Sequence, residues 1–255
     1  MSAAASQNQY SLFSTCLSVV RTAIFYSCLA VWTIFWSVLM ILLISFLPFR
    51  QRHQLFVKPW AIVAVYLCRF ICGISWKVTG RENIPAEPCV VISNHQSAWE
   101  AFFLQTLITP QTQVIKQEIL NIPFYGWAFR KIKPIAIDRK DVRLALQQVR
   151  DQGKAALEHR VWVLIFPEGT RTLPGEPGKF SRGGAGLAKA AETNILPIAH
   201  NSGSFWPSRG FLKRPGTIQV EVGNVIKTES LSVAEANDQA RNTIAESLKR
   251  FYATK

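Results

Sequence analysis

The chain has 255 residues and carries 29 Lys and Arg against 16 Asp and Glu, a formal net charge of +13. That excess calls for anionic partners, but no helix-turn-helix, zinc-finger or RNA-binding signature accompanies it, so no nucleic acid is expected and an acidic lipid surface or phosphorylated substrates fit better. The five cysteines (Cys16, Cys28, Cys68, Cys72, Cys89) follow neither a zinc-ribbon nor a thioredoxin-type spacing, and neither a metal site nor a disulfide framework is implied.

Residues 1–21 form an N-terminal tail. From Thr22 to Phe49 no charged residue occurs, and a helix of that length reaches roughly 40 Å, beyond the hydrocarbon core of a bilayer. A cleaved signal peptide would need a shorter apolar core and a small-residue cleavage site, which Ile44 to Phe49 does not offer. Arg50, Arg52, His53 and Lys58 follow the stretch and only Arg21 immediately precedes it, so the positive-inside bias puts the downstream domain on the cytoplasmic side. A second apolar run, Leu55 to Trp76, is interrupted by Lys58, Pro59 and Arg69. It predicts an interfacial helix, with Trp60, Tyr66 and Trp76 at headgroup depth, or else a core helix, but not a second independent span. Residues 22–74 are thus expected to be membrane-anchoring, as one helix or a helical hairpin.

After residue 75 the pattern changes to short β-rich runs separated by helical ones, which predicts an α/β domain over 75–255, with a mixed, largely parallel sheet flanked by helices. Strands are expected at Ser75–Thr79, Cys89–Ser93, Gln113–Lys116, Pro134–Asp138, Val161–Phe166, Ile195–Ala199 and Thr217–Val222, and helices at Ser97–Ile108, Asp141–His159, Gly183–Glu192 and Val233–Ala253. The Pro/Gly-rich stretch Leu173 to Gly178 is one surface loop inside the domain.

Within this pattern, Asn94-His95-Gln96-Ser97-Ala98-Trp99-Glu100 joins an expected strand to an expected helix. Residues five apart on one helix lie about 140° apart around its axis, so His95 and Glu100 meet only if His95 precedes the helix. Ser97 and Glu100 also form an S-x-x-E capping box, which accounts for Glu100 without any chemistry and yet leans it back toward His95. An imidazole held by a carboxylate keeps one nitrogen free and suits a general base for a hydroxyl. No G-x-S-x-G elbow offers a covalent nucleophile.

Phe166-Pro167-Glu168-Gly169-Thr170-Arg171 follows a strongly β run, at the strand end where open α/β sheets bind ligands. Gly169 permits a tight turn, and Arg171 offers the fork geometry that grips phosphate. Lys116 closes another strand, and Ile122-Pro123-Phe124-Tyr125-Gly126 after it reads as a shaped loop. Arg130, Lys131, Lys133, Arg139 and Lys140 form a basic run without an assigned chemistry, and His200 is a satisfied polar residue by preference.

In order, these blocks resemble the glycerolipid acyltransferase family, most closely its bacterial 1-acyl-sn-glycerol-3-phosphate branch, over roughly residues 75 to 225. Asn94, His95 and Glu100 match N-H-x-x-x-x-D with Glu for the more usual Asp, and the resemblance implies His95 as base and Glu100 as its orienting acid. By the same likeness Lys116 and Arg171 bind the substrate phosphate, while Asn94, Phe124, Gly126, Glu168, Gly169 and Thr170 shape the pocket, and Leu196-Pro197-Ile198 matches the fourth block. It implies transfer of a fatty acyl group from acyl-CoA or acyl-carrier protein to the sn-2 hydroxyl of a lysophosphatidic acid, without metal or other cofactor, at the bacterial cytoplasmic membrane. Another lysolipid such as a lyso-ornithine lipid, glycerol 3-phosphate as acceptor, a thioesterase, and a non-catalytic membrane-surface protein are the competing readings.

Overall fold

The structure, a computed structural model, describes residues 12–138 and 141–253. It opens with a helical hairpin. Helix α1 (Leu12–Leu43) begins within the expected tail, of which residues 1–11 lie outside the described range. After a turn ending at Pro48 the chain runs back through α2 (Phe49–Arg52), one π-helical turn (His53–Val57) and α3 (Lys58–Cys72). Cross-links fix the antiparallel register: Trp36 Nε1 donates to the Phe56 carbonyl at 2.8 Å, and Trp60 Nε1 to Thr33 Oγ1 at 3.2 Å. The returning arm is longer than expected, and Phe49–Cys72 joins Ser14–Phe46 as a segment long and apolar enough to cross a bilayer. Its two charged interruptions do not break it. Lys58 sits in the first turn of α3, and Arg69 lies exposed with its guanidinium 5.2 Å from the Trp76 ring centre. Ala61, Ala64, Val65, Cys68 and Cys72, spaced three and four apart, bury the opposite face against α1 and α4, so α3 is also a core helix.

Gly73 ends α3 in the left-handed conformation, its N–H returning to the Arg69 carbonyl, and the chain enters the sheet. The strands are β1 (Ile74–Thr79), β2 (Val90–Ser93), β3 (Gln111–Lys116), β4 (Ile135–Ile137), β5 (Trp162–Ile165), β6 (Ile195–His200) and β7 (Gly216–Val222). Their order is β1-β7-β6-β2-β5-β3-β4, parallel throughout except for the antiparallel β6–β7 pair. This is the mixed, largely parallel sheet expected. β2, β5 and β6 are continuous apolar runs because both faces are covered. Val91, Leu164 and Leu196 pack toward α3 and α4 (Trp99–Leu107), whereas Val90, Ile92, Val163, Ile165 and Ile195 pack toward α6 (Val142–Glu158), α7 (Gly183–Ala190) and α8 (Val233–Ala253). The hairpin and α6 therefore lie on opposite faces of the sheet.

One helix, α5 (Tyr125–Arg130), stands where a loop was expected. Gly126 permits it, since a Cβ there would lie 2.5 Å from the Leu120 carbonyl oxygen. Of the basic run that follows, Arg139 and Lys140 lie outside the described residues.

Candidate active site

β2, β3 and β5 run parallel and end on the same side of the sheet, so the segments that follow them converge. His95 sits two residues beyond β2 and four before α4, the non-helical position that contact with Glu100 requires. Its Nδ1 lies 2.8 Å from Glu100 Oε1, and the longer carboxylate thus meets the imidazole. The capping role and the imidazole contact prove to be one arrangement. Glu100 Oε1 also accepts the Gln96 and Ser97 N–H groups at 2.9 and 2.8 Å, while Oε2 accepts the hydroxyls of Ser97 and Ser202. Ser97 Oγ in turn accepts the Trp99 N–H, which starts α4 two residues later than expected.

Five donors thus point at one fully buried carboxylate. Burial alone would raise its pKa, but the His200 and His95 rings and the hydrogen bonds from His95 and Ser97 outweigh this and hold Glu100 well below the usual carboxylate range. With an ionised acceptor at Nδ1, the His95 proton belongs on Nδ1 and Nε2 is left bare. Phe166 fixes the ring's remaining freedom by stacking on it, centroids 4.3 Å apart and planes 17° from parallel. Phe166→Ala is expected to leave the fold intact and cost turnover about 5- to 10-fold, of the order of one aromatic contact; rates matching the native enzyme would deny the stack a positioning role.

Several expected site residues act from behind the imidazole. Asn94 is fully buried and pairs its amide with the His200 backbone, donating to its carbonyl at 2.9 Å and accepting its N–H at 3.0 Å, like one more rung between β2 and β6. His200 itself is buried and satisfied, Nε2 lying 2.7 Å from the Asn94 carbonyl, and burial lowers its pKa. Glu168 accepts the His95 N–H at 2.6 Å on one oxygen, and the Gly178 N–H and Thr172 hydroxyl on the other. It ties the segment after β5, and the Pro/Gly loop, to the backbone of His95. Burial raises its carboxyl against the pull of those donors.

A groove of about 920 Å³ runs along this end of the sheet. His95, Lys116, Gly169, Thr170 and Arg171 line it together. Gly169 has φ +70°, the left-handed turn for which glycine is suited. Asn94, Phe124, Gly126 and Glu168, expected to shape the pocket, do not line it. Phe124 packs against Trp127, and Gly126 serves the close approach of α5 to Leu120. The apolar wall comes instead from Ile119, Ile122, Tyr125 and Phe129, with Phe102 and Trp60 beside them. Trp60, expected at headgroup depth, faces the groove through its bond to Thr33. Lys116 Nζ pairs with Glu118 at 3.0 Å, whereas Arg171 is exposed and makes no hydrogen bond or ion pair with any described residue. Among the described residues no cluster of side chains suits a metal ion.

Comparison with known proteins adds to this geometry. A protein-family model described as Acyltransferase matches residues 75–201. A 1-acyl-sn-glycerol-3-phosphate acyltransferase of Pseudomonas aeruginosa is 46% identical to this chain over 235 residues, 91% of each. A Saccharomyces cerevisiae protein of the same description is 27% identical over 194 residues, 73% of this chain and 64% of that one. The crystal structure of the 1-acyl-sn-glycerophosphate (LPA) acyltransferase PlsC from Thermotoga maritima shares the fold, with TM-score 0.78 and 20% identity over 94% of this chain and 98% of that one.

Proposed function

This chain belongs to the acyltransferase family, and from that premise we propose that it moves a fatty acyl group from a thioester, acyl-CoA or acyl-carrier protein, to the sn-2 hydroxyl of 1-acyl-sn-glycerol 3-phosphate, giving phosphatidic acid. The observation that carries this reading is a buried, ionised carboxylate behind a mostly buried imidazole, in one groove with two cationic side chains. In the reaction, His95 Nε2 takes the proton of the acceptor hydroxyl as its oxygen attacks the thioester carbonyl. The tetrahedral intermediate then collapses and expels the thiolate, which recovers the proton from the imidazolium; an ester and a free thiol result. A thioester already carries a good leaving group, so no acyl-enzyme is required. Glu100 holds the imidazole and balances its transient charge, and Lys116 and Arg171 take the phosphate so that the hydroxyl faces the thioester. No metal or redox cofactor is assigned to any of these steps.

The hairpin supports a membrane setting. Phe46 and Phe70 leave 83% and 77% of their surface exposed, and Val31, Phe35 and Leu42 are exposed along α1, a face suited to lipid. The groove opens beside this hairpin, whose Leu29, Thr33 and Trp60 form part of its wall, so an acceptor can enter from the bilayer while its phosphate stays at headgroup depth. The cations following α1 favour a catalytic domain on the cytoplasmic side of a bacterial inner membrane.

The test is lipid mass spectrometry on the purified protein offered both thioester donors and a panel of lysophosphatidate, lyso-ornithine lipid and glycerol 3-phosphate. Phosphatidic acid as the dominant product supports the reading, and turnover confined to another acceptor overturns it. Arg171→Ala is expected to raise KM for lysophosphatidate about 10- to 100-fold, the range of one lost charge-assisted contact, while the melting temperature stays unchanged because the side chain is exposed and supports nothing else.

A further inference from the structure

The segment between β6 and β7 is clipped to α1 by a buried lysine. Lys213 is 2% exposed; its Nζ donates to the Phe211 carbonyl at 2.8 Å and lies 5.0 and 4.9 Å from the ring centres of Tyr26 and Trp206. Its backbone N–H donates to Thr22 Oγ1 at 3.1 Å, and Trp206 meets Phe25 edge-on at 5.2 Å. Between these two anchors the chain turns through Ser208, Arg209, Gly210 and Phe211. Phe211 is half-exposed against Tyr26, on the hairpin side. Ser208 and Arg209 line the same groove as His95 and Arg171.

Arg209 is exposed and, among the described residues, has no hydrogen bond or ion pair, as is true of Arg171. The two guanidiniums come from different segments, one following β5 and one following β6, and line one groove. Burial, helped by Arg171, lowers the Lys213 pKa to about 8. Like charges gathered along a groove without a carboxylate to neutralise them are favourable when an anion completes the set.

Resting on the acceptor assigned above, we propose that Arg209 is a second guanidinium for the acceptor phosphate and that, with Arg171, it selects a phosphate monoester over a phosphodiester. A monoester is largely dianionic near neutral pH, its second pKa being about 6, and offers three terminal oxygens to two forks. A diester headgroup carries one charge and two such oxygens. The Lys213 clip holds this segment against α1, which sets Arg209 at the depth where a lysolipid headgroup would sit.

The experiment compares Arg209→Gln and Arg209→Lys with the native enzyme in detergent micelles, using lysophosphatidate and lysophosphatidylethanolamine as acceptors. Arg209→Gln is expected to raise KM for lysophosphatidate about 10- to 100-fold, with kcat within about 3-fold, preference for the monoester reduced by a similar factor, and melting temperature unchanged. Arg209→Lys should recover part of the loss, because it restores charge without the fork. A parallel arm measures binding to phosphatidylglycerol vesicles that contain no lysolipid; there the variant should match the native protein. An active native enzyme with unchanged KM in Arg209→Gln overturns the assignment of Arg209 alone. Vesicle binding weakened as much as KM is raised overturns it in favour of a bilayer contact, and a native enzyme inert toward lysophosphatidate overturns both this proposal and the acceptor on which it rests.

Discussion

Replacing His95 by alanine is expected to lower turnover by about 10²- to 10⁴-fold, the contribution of a positioned general base, with little change in KM for the lysolipid. The split follows from geometry. The imidazole is the group whose free nitrogen faces the groove, whereas the cations that would hold the phosphate come from other segments. Stability should fall only modestly, because the backbone of His95 carries most of the local hydrogen bonds, its N–H going to Glu168 and its carbonyl accepting the Thr172 N–H, while the ring supplies one of the five donors on Glu100. Initial rates at saturating thioester, followed as ester product and as free fatty acid, provide the check. A variant retaining more than about a tenth of native turnover would remove His95 from the chemistry. Fatty acid released by the native enzyme at equal rates with and without acceptor would turn the reading toward a thioesterase.

Much of this arrangement is legible before any coordinates, and what is not has identifiable causes. β2, β5 and β6 declare themselves as unbroken apolar runs because parallel strands are covered on both faces. His95 and Glu100 are readable as a pair since both lie within one short motif, and their encounter depends only on where α4 begins. Ser202 is not readable: it meets Glu100 across 102 positions of sequence, and a serine in a loop carries no local pattern. Helix α5 is hidden by Pro123 and Gly126, residues that ordinarily interrupt helices; here Pro123 precedes the helix and Gly126 answers a tertiary contact with Leu120. Asn94 and Glu168 sit in motifs, and motifs do not tell a residue that lines a pocket from one that braces the backbone behind it. The hairpin's returning arm is understated because Lys58 and Arg69 appear to interrupt an apolar run, whereas Lys58 sits in the first turn of α3 and Arg69 turns onto Trp76.

Changing Glu100 to glutamine should separate charge from shape. Three N–H donors, from His95 Nδ1, Gln96 and Ser97, converge on Oε1, so the amide oxygen must occupy that position. The amide NH₂ then faces the hydroxyls of Ser97 and Ser202, which can rotate to accept. The variant should therefore fold, keep the Nδ1–H tautomer and lose only the negative charge that balances the imidazolium. Turnover is expected to fall at least about 10²-fold, the scale of a buried electrostatic contribution, and a loss near 10⁴-fold would instead signal a reversed tautomer. Glu100→Ala differs in kind. It strands the buried Gln96 and Ser97 N–H groups, at about 1–3 kcal/mol each, and should unfold at lower temperature than Glu100→Gln. The charge also has a pH signature. Because the folded-state pKa of Glu100 is depressed, its contribution to stability is complete above the ordinary carboxylate pKa of about 4.3 and is lost as pH falls further toward the depressed value. Melting curves of the native protein should thus decline on acidification below that point more steeply than those of Glu100→Gln. Parallel curves, or Glu100→Gln working within about twofold of the native rate, would mean that the carboxylate is a helix cap that happens to touch an imidazole.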